Sequence, residues 1–218
     1  MRGFDRALRL LIGMSIALAG CFGAYQIKPD EPQGTSGLTP NVEDKDAGLV
    51  AVAPGFELKT YRVIAVNQFP VTDAAIKDDD DRRLAQSMAV FLQSELVRRL
   101  RESGLFERVI NLTETPMPAG LSRALRIDGD IPRLGQGSQA ARAFVGLYGA
   151  GRTRAQVEMR FVEVTTGKVV MLTADRRVAS MGFFGGDSED HLRESFDDAA
   201  RDLAKFLIRL NRGEAPRP

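Results

Sequence analysis

Cys21 is the residue whose setting most clearly predicts a chemical fate. It ends the run Leu18-Ala19-Gly20-Cys21, in which a branched apolar residue and two small residues precede the only cysteine of the chain. Small residues let an extended backbone enter a signal-peptidase cleft, and the thiol offers an attachment point for acyl chains. We therefore predict that a peptidase recognises Leu18, Ala19 and Gly20 and that Cys21 carries a covalent lipid, with no other cofactor.

The residues before Cys21 are typical of an export signal. A positive stretch contains Arg2, Arg6 and Arg9, and the apolar run Leu10 to Leu18 follows it, interrupted only by Gly13 and Ser15. A run of this length matches a secretory h-region and is too short for a permanent membrane span. The whole pattern resembles a bacterial lipobox; the alternative is an ordinary signal sequence with a chance cysteine.

Phe22 bears on the destination of the exported protein. In Gram-negative lipoproteins an Asp after the acylated cysteine commonly signals retention in the inner membrane, and Phe22 stands there instead. The resemblance therefore implies a cell-envelope location, lipid-anchored in the outer membrane and facing the periplasm.

Charge and composition exclude several other kinds of partner. Without residues 1–20 the chain has 30 − 3 = 27 basic and 29 − 1 = 28 acidic residues, so bulk charge does not favour nucleic acid. One cysteine and one histidine cannot build a Cys/His metal cluster. An apolar fraction of 44% is enough for a packed core.

The segment Gly146 to Thr153 superficially matches a nucleotide P-loop. Arg152 stands where that motif has its lysine, and a strand-like alternation follows where a P-loop opens a helix. We therefore expect no nucleotide partner.

Three other sets of polar residues have a structural interpretation beside a functional one. Asp78 to Asp81 suit the start of a helix better than a calcium loop, because they lack the spacing and the glycine of such loops. Asp128 and Asp130 share one face of a strand, either as a glycosidase-like pair or as solvent-facing charges. His191 is expected to be a surface side chain, and we predict no catalytic residue and no metal site.

Two segments rich in small residues are the candidate contact regions. Residues 135–151 and the apolar loop 181–186 each combine glycines with aromatic residues. Either segment can be a connection or fold-back loop, or a contact in which small residues let neighbouring elements pack closely. The candidate partner contacts are Arg142, Phe144, Tyr148, Phe183 and Phe184.

Hydrophobic periodicity predicts the elements that position these residues. Period-2 patterns predict strands over 61–66, 105–112, 125–131, 154–164 and 168–178, with a hairpin turn at Thr165-Thr166-Gly167. Apolar residues at helical spacing predict helices over 84–100 and 192–210. The order predicts an α+β fold: a mixed, largely antiparallel sheet of about five strands with two amphipathic helices on one face.

Composition divides the chain into four parts. They are a lipoprotein signal peptide at 1–20, an acylated Cys21 with a flexible tether at 21–57, a single α+β domain at 58–212 and a frayed tail at 213–218. A flexible coil of this length spans about 30–35 Å. The alternative is that residues near Val50 and Val52 form a loop packed on the domain.

The mature chain resembles the bacterial lipoprotein family known as domain of unknown function 4410, over about residues 58–211. The features that carry the resemblance are Gly104-Leu105-Phe106, Leu125 to Ile131, Gly137 to Gly151 and Val164 to Val169. The resemblance implies an envelope lipoprotein and supplies no activity and no catalytic residues.

Three functions remain open from the sequence. The first is a non-enzymatic binding or assembly module that is anchored to the membrane and contacts an envelope protein or itself. The alternative is an oligomeric conduit- or secretion-associated lipoprotein that uses segment 135–151. The least favoured function is a hydrolase of an envelope polymer, because no carboxylate pair stands out.

Overall fold

The computed structural model describes residues 24–29, 37–135, 153–179 and 188–218. The described residues form eight strands, two α-helices and one 3₁₀ turn at Leu58–Thr60. The strands are β1 (Ala24–Ile27), β2 (Val42–Asp44), β3 (Gly48–Val52), β4 (Val63–Val66), β5 (Arg108–Asn111), β6 (Ala124–Gly135), β7 (Thr153–Glu163) and β8 (Val169–Ala179). The helices are α1 (Asp79–Glu102) and α2 (Ser188–Asn211).

All eight strands belong to one mixed sheet. Its order is β2-β3-β8-β7-β6-β4-β5, and β1 pairs with β8. Only the pairs that β4 makes with β5 and β6 are parallel; the other strand pairs are antiparallel. The predicted α+β class and the largely antiparallel sheet are therefore confirmed, whereas the predicted count of about five strands is too low.

Both helices cover the same face of the sheet, as predicted, and share one core. Met88, Leu92 and Leu96 of α1 are fully buried, as are Phe196 and Phe206 of α2. They join one cluster with residues of the sheet that include Ile64, Ile127, Val157 and Phe161. Burial of each such side chain stabilises the folded state by about 1.5–3 kcal/mol. The helix-covered face of the sheet therefore contributes strongly to the stability of the fold.

The ends of α1 agree with the capping interpretation. The Asp78 side chain accepts a hydrogen bond from the Asp81 backbone N–H at 2.7 Å, which satisfies a free donor of the first turn. Gly104 follows the helix with a φ of +65°, a conformation that terminates helices. The aspartate run is thus explained as a helix start.

The segment predicted as a flexible tether is incorporated in the sheet where it is described. β3 pairs with β8 over Val50 to Val52, and Val50 is completely buried. Gly48 has a φ of +72°, and a side chain there would collide with the carbonyl oxygen of Ala174. The prediction failed because β1, β2 and β3 are short strands between glycines and prolines, and strands of 3–5 residues give little periodic signal.

The C-terminal tail is also attached to the sheet, although we predicted that it frays. The Lys45 backbone N–H donates to the Arg217 carbonyl at 2.9 Å. The Arg217 N–H in turn donates to the Asp44 side chain at 2.9 Å. The attachment depends on Asp44, which is distant in sequence, so composition alone could not reveal it.

Candidate functional site

The chain segments that hold the predicted site residues leave the sheet at one end. Ala24 at the start of β1 pairs with Ala179 at the end of β8, and Ala179 pairs with Thr153 at the start of β7. Gly135 at the end of β6 pairs with Arg154. We call the end formed by Ala24, Gly135, Thr153 and Ala179 the near end. From it the chain leads to Cys21, to residues 136–152 and to residues 180–187.

The connection between β4 and α1 extends to the near end. Asp73 is buried, and its two carboxylate oxygens accept the backbone N–H groups of Ala75 at 2.9 Å and Leu134 at 2.8 Å. Val71 also forms a parallel bridge with Ile131. These contacts hold the connection beside the last residues of β6.

The opposite end of the sheet contains the β7–β8 hairpin, which we call the far end. Thr165, Thr166 and Gly167 form its turn, as predicted, and Gly167 has a φ of +69°. β7 has 11 residues, so the two ends of the sheet are about 34 Å apart.

A buried ionic cluster holds β1 on β8. The Gln26 amide donates to Asp175 Oδ1 at 2.9 Å, and Arg177 Nε donates to Asp175 Oδ2 at 2.8 Å. Arg177 Nη2 lies 3.0 Å from Asp202 Oδ2 of α2, and the side chains of Asp175 and Arg177 are each only 5% exposed. We call Gln26, Asp175, Arg177 and Asp202 the strap cluster, because together they connect β1 with the sheet and α2.

Burial and charge shift the pKa values of the strap cluster in different directions. Burial raises the pKa of Asp175, and this effect exceeds the opposing charge of Arg177 and the Gln26 hydrogen bond. Burial also acts to lower the pKa of Arg177, but the carboxylates of Asp175 and Asp202 outweigh it and raise that pKa. For Asp202, burial is outweighed by Lys205 and Arg177, which lower the pKa.

A second ionic cluster lies at the β2–β3 hairpin. Arg209 Nη2 of α2 donates to Asp44 Oδ1 at 2.6 Å, to Asp44 Oδ2 at 2.9 Å and to Asp46 at 2.8 Å. The Asp44 side chain is completely buried. Burial alone would raise the pKa of Asp44, but hydrogen bonds from Arg209, Arg217 and Asp46 lower it below its usual 3.8. We call Asp44, Asp46, Arg209 and Arg217 the tail clamp.

Asp128 and Asp130 are paired with arginines. Asp128 accepts hydrogen bonds from Arg126 at 2.6 Å and Asn67 at 2.9 Å, and Asp130 accepts one from Arg160 at 3.0 Å. Burial would raise the pKa of Asp128, but Arg126 and Asn67 outweigh it and lower the pKa. A glycosidase acid needs a raised pKa, so Asp128 is unsuited to that role.

His191 was predicted to be a surface side chain, but only 19% of its side chain is exposed. Its Nδ1 lies 3.9 Å from a Glu194 carboxylate oxygen, one turn along α2. Across the described ranges, no group of three or more His, Cys, Asp or Glu side chains is placed to hold a metal ion.

An open groove of about 560 Å³ lies between the β4–α1 connection and the first half of α1. Phe69, Ile76 and Ala85 line it, with Arg82 and Gln86 as polar neighbours. Among the described residues that line it, the one carboxylate, Asp73, already accepts two backbone N–H groups. These residues therefore do not assemble a set of catalytic groups.

Several predicted site residues lie outside the described residues. They are Leu18, Ala19, Gly20, Cys21, Arg142, Phe144, Tyr148, Phe183 and Phe184, together with all but Gly135 of segment 135–151. The structure nevertheless fixes where the flanking chain leaves the sheet. In the part of the chain that is described, no helix has both the length and the hydrophobicity to cross a membrane.

The sequence analysis missed the strap cluster and the tail clamp. Asp175 and Arg177 lie on the helix-facing side of β8, a strand that was predicted from the sequence. Charged residues on the buried side of a predicted strand were therefore a signal that could have revealed the strap cluster. Gln26 lies 149 residues from its partner Asp175, and Asp44 lies 165 residues from its partner Arg209, so no local pattern connects either pair.

Comparison with known proteins identifies a family match over the middle of the chain. The family model described as "Domain of unknown function (DUF4410)" matches residues 64–182, which is more than half of the 218 residues. No curated protein matches the chain.

Two solved structures of low sequence identity match parts of this chain. Protein XCC0632 from Xanthomonas campestris is 11% identical, with a TM-score of 0.48 over 82% of this chain and 94% of that one. A PelC dodecamer from Paraburkholderia phytofirmans is 12% identical, with a TM-score of 0.44 over 71% of this chain and 94% of that one. Both TM-scores are below 0.5, so we transfer no property of either protein to this chain.

Proposed function

The chain belongs to the DUF4410 family, and on that premise we propose that it is a lipid-anchored protein of the bacterial cell envelope that acts as a non-enzymatic binding or assembly module. The observation that carries this proposal is the near end of the sheet. The chain leaves that end toward Cys21 and toward both segments that hold the candidate partner contacts. An anchor and a contact surface would thus occupy one side of the molecule.

Cys21 is the anchoring residue in this proposal. A peptidase recognises Leu18, Ala19 and Gly20, and acyl chains are attached to the Cys21 thiol. Each buried CH₂ group contributes about 0.8 kcal/mol, so two or more chains hold a protein stably on a bilayer. The anchor lies in the outer membrane, and the domain faces the periplasm.

The partner is a protein of the envelope or a second copy of this chain. The candidate contacts comprise four aromatic residues, Phe144, Tyr148, Phe183 and Phe184, and one arginine, Arg142. Aromatic and arginine side chains are enriched at the centres of protein interfaces. Their two segments leave the sheet beside each other at the near end, which favours one shared surface over two separate ones.

Acylation is tested by intact mass and membrane fractionation of the wild type beside Cys21→Ala. We expect acyl mass and sedimentation with the outer membrane for the wild type only. If both proteins are soluble and carry no acyl mass, the anchoring proposal is wrong.

Partner binding is tested with a photo-crosslinking residue at Phe144 or Phe184. The same residue at Thr165 of the far end is the matched control. We expect a discrete crosslinked product only from the first two positions. A product with the mass of two copies would identify the partner as a second copy of this chain, which the conduit alternative also requires. Equal crosslinking from all three positions would contradict a contact surface at the near end.

A further inference from the structure

We propose that the near end of the sheet faces the phospholipid bilayer that holds the acyl chains of Cys21. The strands then run away from the membrane, and the β7–β8 hairpin is the part of the described domain that extends deepest into the periplasm. This inference rests on the proposed acylation of Cys21. It adds an orientation that acylation alone does not require.

The first step is the length of chain between the anchor and the sheet. Only Phe22 and Gly23 separate Cys21 from Ala24, the first residue of β1. Consecutive Cα atoms are about 3.8 Å apart, so the Cα atoms of Cys21 and Ala24 are at most about 11 Å apart. A flexible tether through residue 57 would have allowed about 30–35 Å.

The second step is that β1 is firmly attached to the sheet. Its four residues pair with Arg176 to Ala179 of β8. Gln26 adds the 2.9 Å hydrogen bond to Asp175, whose partner Arg177 reaches Asp202 of α2. Detaching β1 would therefore break both a backbone ladder and a hydrogen bond to a buried carboxylate.

The third step is the identity of the surface beside Ala24. Its neighbours across the sheet are Ala179 and Thr153, and Gly135 follows one strand further. Adjacent strands are about 4.8 Å apart, so all four residues lie within about 15 Å of each other. A bilayer within about 11 Å of Ala24 therefore lies close to this whole end.

Charges at the start of α1 are partly compensated. α1 begins with three aspartates, but Asp79 pairs with Arg82 and Asp80 pairs with Arg83. Such exposed pairs contribute little energy, yet they reduce the net charge that an anionic lipid surface would repel. The covalent anchor, rather than attraction between charges, therefore sets the orientation.

The orientation is tested with single tryptophan reporters, because the chain contains no natural tryptophan. Ala74→Trp places one beside Asp73 at the near end, and Thr165→Trp places the matched one at the far end. Both native residues are exposed. Full-length protein is expressed, purified from membranes and reconstituted in vesicles of phosphatidylethanolamine and phosphatidylglycerol with dansyl-labelled headgroups. We expect energy transfer to be several-fold greater from Ala74→Trp.

A linker variant separates the anchor from the orientation. About 20 Gly/Ser residues inserted between Gly23 and Ala24 would add a span of about 25 Å. We expect this variant to keep its acyl mass and to lose the difference between the two reporters. Equal transfer from both reporters in acylated protein without the linker would overturn the orientation and leave the anchor intact. Absence of acyl mass from the same samples would overturn both.

Discussion

The two ends of the described chain are attached to the same sheet by different means. β1 is held by a backbone ladder with β8, to which Gln26 adds one side-chain hydrogen bond. The C-terminal tail is held chiefly by one buried carboxylate, Asp44, which accepts bonds from Arg209 and Arg217. A backbone ladder depends weakly on any one side chain, whereas a carboxylate clamp depends on it strongly. Substitutions should therefore damage the tail clamp more than the attachment of β1.

Replacement of Arg209, the arginine at the centre of the tail clamp, should have the largest effect on the free energy of unfolding. In Arg209→Ala the completely buried Asp44 loses its charged partner, and breaking a buried ion pair in this way costs about 3–5 kcal/mol. Urea unfolding measures the free energy of unfolding. Arg83→Ala is the control, because its ion pair with Asp80 is exposed and contributes about 0–1 kcal/mol. Equal losses in the two variants would contradict the distinction between a clamp and a surface pair.

The β2–β3 hairpin, which supplies Asp44, should be the next most sensitive feature. Gly48→Ala both strains a φ of +72° and drives a methyl group into the Ala174 carbonyl. Gly55→Ala is the control, since its φ is +75° and nothing lies within 4 Å of the added atom. We expect Gly48→Ala to lose about 1–3 kcal/mol more than Gly55→Ala in the same urea experiment, because overpacking adds to strain. Similar losses would show that strain alone matters at Gly48.

Loss of the β1 side-chain bond should have a smaller and local effect. Gln26→Ala removes one donor from Asp175, which keeps Arg177, so we expect a loss of about 1 kcal/mol. Hydrogen exchange should accelerate in residues 24–27 and 176–179 and remain unchanged in β3. The exposed residue Gln86, replaced by Ala, is the control. Global acceleration would indicate that β1 is not a separate unit.

The smallest expected effect is a change in pH dependence, opposite in sign for the two clusters. The folded pKa of Asp44 is lowered, so its contribution to stability is present above about pH 3.8 and is lost as pH falls through the folded pKa. The folded pKa of Asp175 is raised, so its ionisation costs stability above that pKa, and this cost disappears as pH falls toward 3.8.

Urea unfolding of the wild type, Asp44→Asn and Asp175→Asn between pH 3 and 6 measures these slopes. As pH falls, the stability of the wild type relative to Asp44→Asn should decrease, and relative to Asp175→Asn it should increase. Parallel curves for all three proteins would contradict both pKa directions.

Long elements with a clear period could be predicted from the sequence. Both helices and all five predicted strands exist. Apolar residues such as Leu92 and Phe196 in the helices and Val157 in β7 recur at the period of their element. The N-terminal strands were not predicted, because the glycines and prolines around them are typical of loops. β1 and β3 form by pairing with β8, and β2 forms by pairing with β3. Asp44 illustrates the same limit, since its partner Arg209 is 165 residues away.

The residues of the candidate site stay a prediction. Residue types marked segments 135–151 and 181–186, and the lipobox-like run marked Cys21. Their common exit from the near end depends on strand register, which sequence patterns do not specify over such separations. The sequence thus indicated which segments to consider, and the topology places the strand ends that flank them at one end of the sheet.

The antiparallel pairing of β1 with β8 also determines how the domain would respond to mechanical force. A pull on Cys21 away from the near end acts along the axis of β1, and the hydrogen bonds of an antiparallel ladder lie perpendicular to that axis. All bonds of the ladder are then sheared together instead of being opened one after another. β8 spreads the force to β7 on its other side, so the whole sheet resists extraction of the anchor.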